Sequence, residues 1–158
     1  MQLEEQVGAL LRGRGVKLAF AESCTGGLIS DRITDVPGSS EYFQGSIVAY
    51  SYQAKADLLG VSWESLNSLG AVSREVVVEM ARGAQRALMA DIAAAVSGIA
   101  GPDGGTPAKP VGTVWLALAA PGGSWARECH FSGDREQIKA ASADAALQLL
   151  VDYLEGRL

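Results

Sequence analysis

Residues 92–96, Ile-Ala-Ala-Ala-Val, are apolar at every position. A strand of this composition has no face it can leave in water, so the sheet that holds it must be covered on both sides. Just before it, residues 73–89 carry Val76, Val77, Met80, Ala84, Ala87 and Leu88 at helical spacing behind Ser73, a good N-cap. Just after it, Ser97 to Gly105 is rich in glycine and proline. Helix, buried strand, glycine loop is the signature of an α/β sandwich, and the glycine segment reads equally as a ligand loop at a strand's carboxyl end or as a tight turn demanded by backbone geometry.

The rest of the chain repeats that alternation. The pattern predicts a helix over residues 2–13, ended by Gly13 and Gly15, and a short strand at 17–21. Thr25-Gly26-Gly27 then opens a helix over 28–34, and Pro37-Gly38-Ser39-Ser40 forms a turn. A strand is predicted at 45–50, a helix at 53–59, and a hairpin of 112–120 and 124–131 around Pro121-Gly122-Gly123. Asp134 caps a last helix running to about residue 154, with Ile138, Ala141, Ala145 and Leu149 facing inward. About five strands with helices before, between and after predict a three-layer α/β/α sandwich. Its sheet is mixed and mostly parallel, and residues 1–158 form a single domain.

Composition narrows the functions such a fold can carry. The net charge of −5 argues against a general affinity for nucleic acid or anionic membrane, although one local basic site could still hold a phosphate. Cys24 and Cys129 form no CxxC pair, the N-terminus has no signal-peptide pattern, and no apolar run is long enough to span a membrane. A reduced, cytoplasmic setting follows. The only histidine, His130, sits in a predicted strand without a paired ligand, so neither a zinc site nor a Ser-His-Asp triad is expected, and no cofactor or metal is called for. Asp103 has no second carboxylate nearby and reads as a turn residue. Lysines are scarce: Lys17, Lys55, Lys109 and Lys139.

That scarcity draws attention to the segment 37–55, which holds Ser39, Ser40, Ser46, Ser51, Tyr50 and Lys55. A serine needs a base to become a nucleophile, and where histidine is absent a desolvated lysine can serve. Tyr50 ends a predicted strand and Lys55 lies one helical turn into the next element, so both can face one cleft. Spacing alone favours the plainer reading, a surface lysine and a core tyrosine.

Several longer motifs occur together and in order: Ala21-Glu-Ser-Cys-Thr-Gly-Gly27, Pro37-Gly-Ser-Ser40, Val48-Ala-Tyr50 with Lys55, Gly70-Ala-Val-Ser73, Ser97-Gly-Ile-Ala-Gly-Pro-Asp-Gly-Gly105, Lys109-Pro-Val-Gly-Thr-Val114 and Phe131-Ser-Gly-Asp-Arg135. Over nearly its whole length the chain resembles the CinA C-terminal domain family, whose members include nicotinamide-nucleotide amidases. The resemblance implies hydrolysis of nicotinamide mononucleotide to nicotinate mononucleotide and ammonia. It implies Ser40 as nucleophile, with Tyr50 and Lys55 as its partners. It also implies a ligand loop at Ser23, Thr25 and Gly26, a second at Ser97 and Gly98, and Arg135 placed for the nucleotide. On this reading the 5′-phosphate is held by Arg135 together with the helix start after Thr25-Gly26-Gly27. Family analogy further implies a homo-oligomer, at least a dimer. Many members carry an extra N-terminal domain, and this chain reads as the stand-alone form. Where the family often has asparagine after Ser51, this chain has Tyr52, which bears on substrate preference. The competing expectations are a nucleotide-binding module without turnover and a hydrolase of another small amide.

Overall fold

Strand β1 (Leu18–Glu22) is buried at every position, and β3 (Ile92–Gly98) at every position but its last, as a strand covered on both faces must be. The structure, a computed structural model, describes residues 1–158. Its remaining elements are α1 (Leu3–Leu11), α2 (Leu28–Thr34), a 3-10 turn (Ser39–Glu41), β2 (Phe43–Val48), α3 (Tyr52–Leu59), α4 (Trp63–Leu69), α5 (Arg74–Ala87), β4 (Thr113–Ala120), β5 (Gly123–His130) and α6 (Arg135–Leu154). The five strands form one sheet in the order β2-β1-β3-β4-β5. Strand β1 runs parallel to β2 and β3, and β4 and β5 add antiparallel ladders. Glu22 is level with Val48 on one side and Val96 on the other, so β1 and β2 end together and β3 runs two residues further.

The expected three layers are present. One face of the sheet (Leu18, Phe20, Ile92, Val96, Leu116 and Leu118 among others) packs on α1, α2 and α6. The opposite face is paved with alanine: Ala19, Ala21, Ala93, Ala95, Ala117 and Ala119. Small side chains there let Val76, Val77, Met80 and Ala84 of α5 sit low on the sheet. Gly83 brings α5 equally close to α3, for a Cβ at this position would run into the carbonyl oxygen of Leu59. Backbone cannot move aside as a flexible side chain can. Gly83→Ala should therefore destabilise the fold by about 2–3 kcal/mol, against the gain of under about 1 kcal/mol that Gly→Ala gives in an open helix. Urea denaturation reads the sign directly, and a variant more stable than the wild type would refute the close packing.

Three sequence expectations are corrected. Helix α4 was not foreseen; it has seven residues capped by Ser62 and buries only Leu66, too little for a periodic signal. Helix α6 turns Ile138, Ser142, Ala143, Ala146, Leu147 and Leu150 inward, while Ala141 and Ala145 are only partly covered. It packs on the sheet and on α1 and α2 at once, so its buried arc is wider than one stripe. In α5, Ala87 is exposed. No helix is long and apolar enough to cross a membrane.

Candidate active site

The chain leaves β1 through α2 on one face of the sheet and reaches β3 from α5 on the other. Opposite crossovers on either side of β1 open a crevice beyond the strand ends. Into it project the turn after β1 (Ser23 to Gly27), the link after β2 (Ala49 to Ser51) and the loop after β3 (Ile99 to Gly105).

Ser51 caps α3 by accepting a hydrogen bond from the Ala54 amide, and this places Lys55 in the first turn of the helix. Lys55 points inward and is 1% exposed. Its Nζ donates to Ser23 Oγ at 2.9 Å, to the Ala49 carbonyl at 3.0 Å and to the Tyr50 carbonyl at 2.9 Å. No carboxylate pairs with it, and burial pulls its pKa down from 10.5 to about 8. Ser23 is itself nearly buried, and its amide donates to the Val96 carbonyl at 3.1 Å, extending the β1–β3 ladder by one residue.

Ser40 is not part of this group. It lies exposed in the 3-10 turn before β2, where the Leu18 amide and Lys17 Nζ donate to the carbonyls of Tyr42 and Glu41. That is the beginning of β1, and Lys55 reaches its end. The six residues of β2 separate Ser40 from Tyr50, a span of about 20 Å at about 3.3 Å per residue. Lys55 makes no contact with Ser40 in this structure; it contacts Ser23, a residue expected only as part of a ligand loop. The sequence did carry a signal for it, since a serine directly after a buried strand and before a helix start is held at the crevice.

Tyr50 is brought to the site, but in another role than expected. Its carbonyl holds Lys55, and its ring, 63% exposed, turns away to accept a hydrogen bond from Arg135 Nη2 at 3.2 Å. Arg135 begins α6 and also donates to the Gly101 carbonyl at 2.6 Å, so it bridges the links after β2 and β3. Ser97 is buried at the end of β3 beside Ser23, and its hydroxyl makes no hydrogen bond within the protein. Gly98 is required by packing, since a Cβ there would strike the Val114 side chain.

The turn after β1 differs from expectation in one further respect. Glu22 is fully buried, and its carboxylate accepts hydrogen bonds from Thr25 Oγ1, the Ile29 amide, the Ser30 amide, Ser30 Oγ and Ser46 Oγ. The start of α2 is thus already filled by an internal anion. The Ile29 and Ser30 amides there are not open to a phosphate. Thr25 spends its hydroxyl proton on Glu22, while Gly26, with φ +61°, leaves open space above the turn. Cys24 lies in the same turn, but burial pushes its thiol up to about 11, so it stays protonated and unreactive near neutral pH. His130 lies on the edge strand β5, paired with Glu128 at 2.7 Å.

A sequence profile of the CinA C-terminal domain matches residues 1–154. A nicotinamide-nucleotide amidohydrolase, PncC, of Shigella flexneri is 54% identical over 153 residues, which cover 95% of this chain and 92% of that protein. The crystal structure of competence damage-inducible protein A from Klebsiella pneumoniae superposes with a TM-score of 0.94 at 36% identity, covering 99% of this chain and 97% of that one. That of a competence/damage inducible protein from Agrobacterium tumefaciens gives 0.92 at 40% identity, covering 97% and 95%. Profile, sequence identity and fold agree across nearly the whole length, and the chain belongs to the CinA C-terminal domain family.

Proposed function

We propose that this chain is a nicotinamide-nucleotide amidohydrolase, converting nicotinamide mononucleotide and water to nicotinate mononucleotide and ammonia, with Ser23 as nucleophile and Lys55 as its base. One observation carries the assignment of roles. Lys55 Nζ has three hydrogen-bond partners, of which two are carbonyls that can only accept. A neutral amine keeps two N–H donors and one lone pair. With the donors held by Ala49 and Tyr50, the lone pair is left facing Ser23 Oγ, which can supply a proton.

The reaction then balances in four movements. Ser23 Oγ attacks the carboxamide carbon as its proton passes to Lys55 Nζ. The oxyanion is held by backbone amides of the turn; those of Cys24 and Thr25 donate to no backbone acceptor and are free for it. Ammonia leaves with the proton from Nζ. Water, deprotonated by the same neutral lysine, adds to the acyl carbon, the bond to Ser23 Oγ breaks, and Nζ returns its proton to Oγ. The cationic pyridinium makes the amide carbon more electrophilic, and the ring of Tyr50 offers it a face. Arg135 exchanges its two protein acceptors for the 5′-phosphate.

Ammonia release from nicotinamide mononucleotide, nicotinamide riboside and free nicotinamide tests the substrate. The nucleotide should be turned over far more efficiently than either truncated compound. Equal efficiency with free nicotinamide would overturn the nucleotide assignment, and binding of the nucleotide without ammonia from any compound would mark a non-catalytic module. Arg135→Ala should raise KM about 10- to 100-fold with kcat changed less than about threefold, as expected where a charged hydrogen bond is made equally in ground and transition states. A fall in kcat at unchanged KM would place Arg135 at the reacting centre instead.

A further inference from the structure

We propose that Glu22 is a positioning residue that holds the Ser23 nucleophile rigid; this rests on the reading of Ser23 above. Its five donors come from three places around Ser23: the turn itself (Thr25), the first turn of α2 (Ile29 and Ser30) and the neighbouring strand β2 (Ser46). A helix start ordinarily has its free amides satisfied by a Ser, Thr, Asp or Asn at its own N-cap. The N-cap of α2 is Gly27, at φ +107°, which has no side chain to offer. Glu22 supplies that cap from the preceding strand. By doing so it fastens the last residue of β1 to the start of α2 across the turn that carries Ser23.

Within the turn, the Gly26 amide to the Ser23 carbonyl and the Leu28 amide to the Thr25 carbonyl are paired, each at 3.1 Å. Ser23 is tied outward to Val96 and Lys55, and Glu22 fastens the turn to α2 and β2 through side-chain hydrogen bonds. A buried carboxylate is costly unless its oxygens are fully hydrogen-bonded, and Glu22 has no cationic partner among these contacts. Position 27 cannot supply that cap itself, since its φ of +107° favours glycine over any residue with a side chain. The arrangement is explained when one rigid acceptor must fix strand end, turn and helix start together, with Ser23 Oγ at the depth of Lys55 Nζ. Positional errors of well under an ångström matter at a reacting centre, and residues that support the reacting groups set that precision.

Glu22→Gln keeps the shape but turns an NH2 toward donors. The reaction is read in two ways: by kcat and KM for the nucleotide, and by the rate at which a fluorophosphonate probe labels Ser23. The folded variant should lose about 10- to 100-fold in both kcat and labelling rate, with KM within about twofold. Ser46→Ala, which removes one donor from the β2 side, should lose about two- to fivefold in the same two readings. Wild-type labelling by folded Glu22→Gln, or a rise in KM at unchanged kcat, overturns the proposal. Should that variant not fold, unchanged labelling in both Ser46→Ala and Ser30→Ala overturns it. Full turnover by a wild-type enzyme whose Ser23 the probe never labels strikes down the nucleophile assignment itself, and the role of Glu22 falls with it.

Discussion

Ser23→Ala lowers kcat by on the order of 10⁴-fold or more, and Lys55→Ala does nearly the same. The first removes the atom that attacks, and the second leaves a hydroxyl whose proton has nowhere to go. Both act on one step, so the double variant is little worse than either single one. Ser40→Ala, at the far end of β2, stays within about twofold of wild type, as expected of an exposed residue away from special features. The pH profile has the same origin. Lys55 must be neutral to act, and burial sets its pKa at about 8. Activity therefore falls about tenfold per pH unit below pH 8 and levels off above about 9. Lys55→Arg gives no rescue, because a guanidinium cannot give up its proton. A folded Ser23→Ala enzyme with near-normal turnover, or loss of activity in Ser40→Ala alone, returns the nucleophile to the Pro37 to Ser40 turn.

That reversal shows where sequence was informative and where it was not. The layered fold was legible because its signals are local: apolar runs at β1 and β3, the stripe on α5, the Asp134 cap of α6, and the glycines between β4 and β5. Lys55 was also legible, as a rare lysine beside a strand end. Its partner was not. The Ser23–Lys55 contact joins residues 32 apart, and it exists only because β1 and β2 pair in parallel with Glu22 opposite Val48. Parallel pairing returns the chain to the same end of the sheet after each crossover, so the turn after β1 meets the link after β2. Ser40 is closer to Lys55 in sequence, but it precedes β2, and a single strand is enough to carry the chain from one end of the strands to the other. The two carbonyls that aim the lysine leave no mark in the sequence at all. The Glu22 network was not legible either, because its donors are two backbone amides and three hydroxyls drawn from three elements.

Lys55→Met gives the second large effect, and on stability. The buried lysine titrates at about 8 in the folded chain and at its ordinary value of 10.5 when unfolded. Between those values the unfolded chain holds the proton and the folded chain has released it. Stability then rises with pH, since the unfolded state binds more protons. Below about pH 8 both states are protonated, and the whole penalty of the buried charge is present; above about 10.5 it has faded. The fall in pKa corresponds to about 3 kcal/mol. Methionine has a similar length and no proton to lose. It leaves the Ala49 and Tyr50 carbonyls and Ser23 Oγ without their donor, at a cost of about 1–3 kcal/mol for each group cut off from water, but that cost does not depend on pH. The remaining titrating groups are common to both proteins and cancel. In urea denaturation at pH 7 and pH 10.5, wild type should therefore gain about 3 kcal/mol on Lys55→Met as the pH rises. Parallel stability profiles for the two proteins would mean that Lys55 titrates alike folded and unfolded. The amine would then hold its proton up to about pH 10.5, and a lysine that holds its proton cannot take one from Ser23.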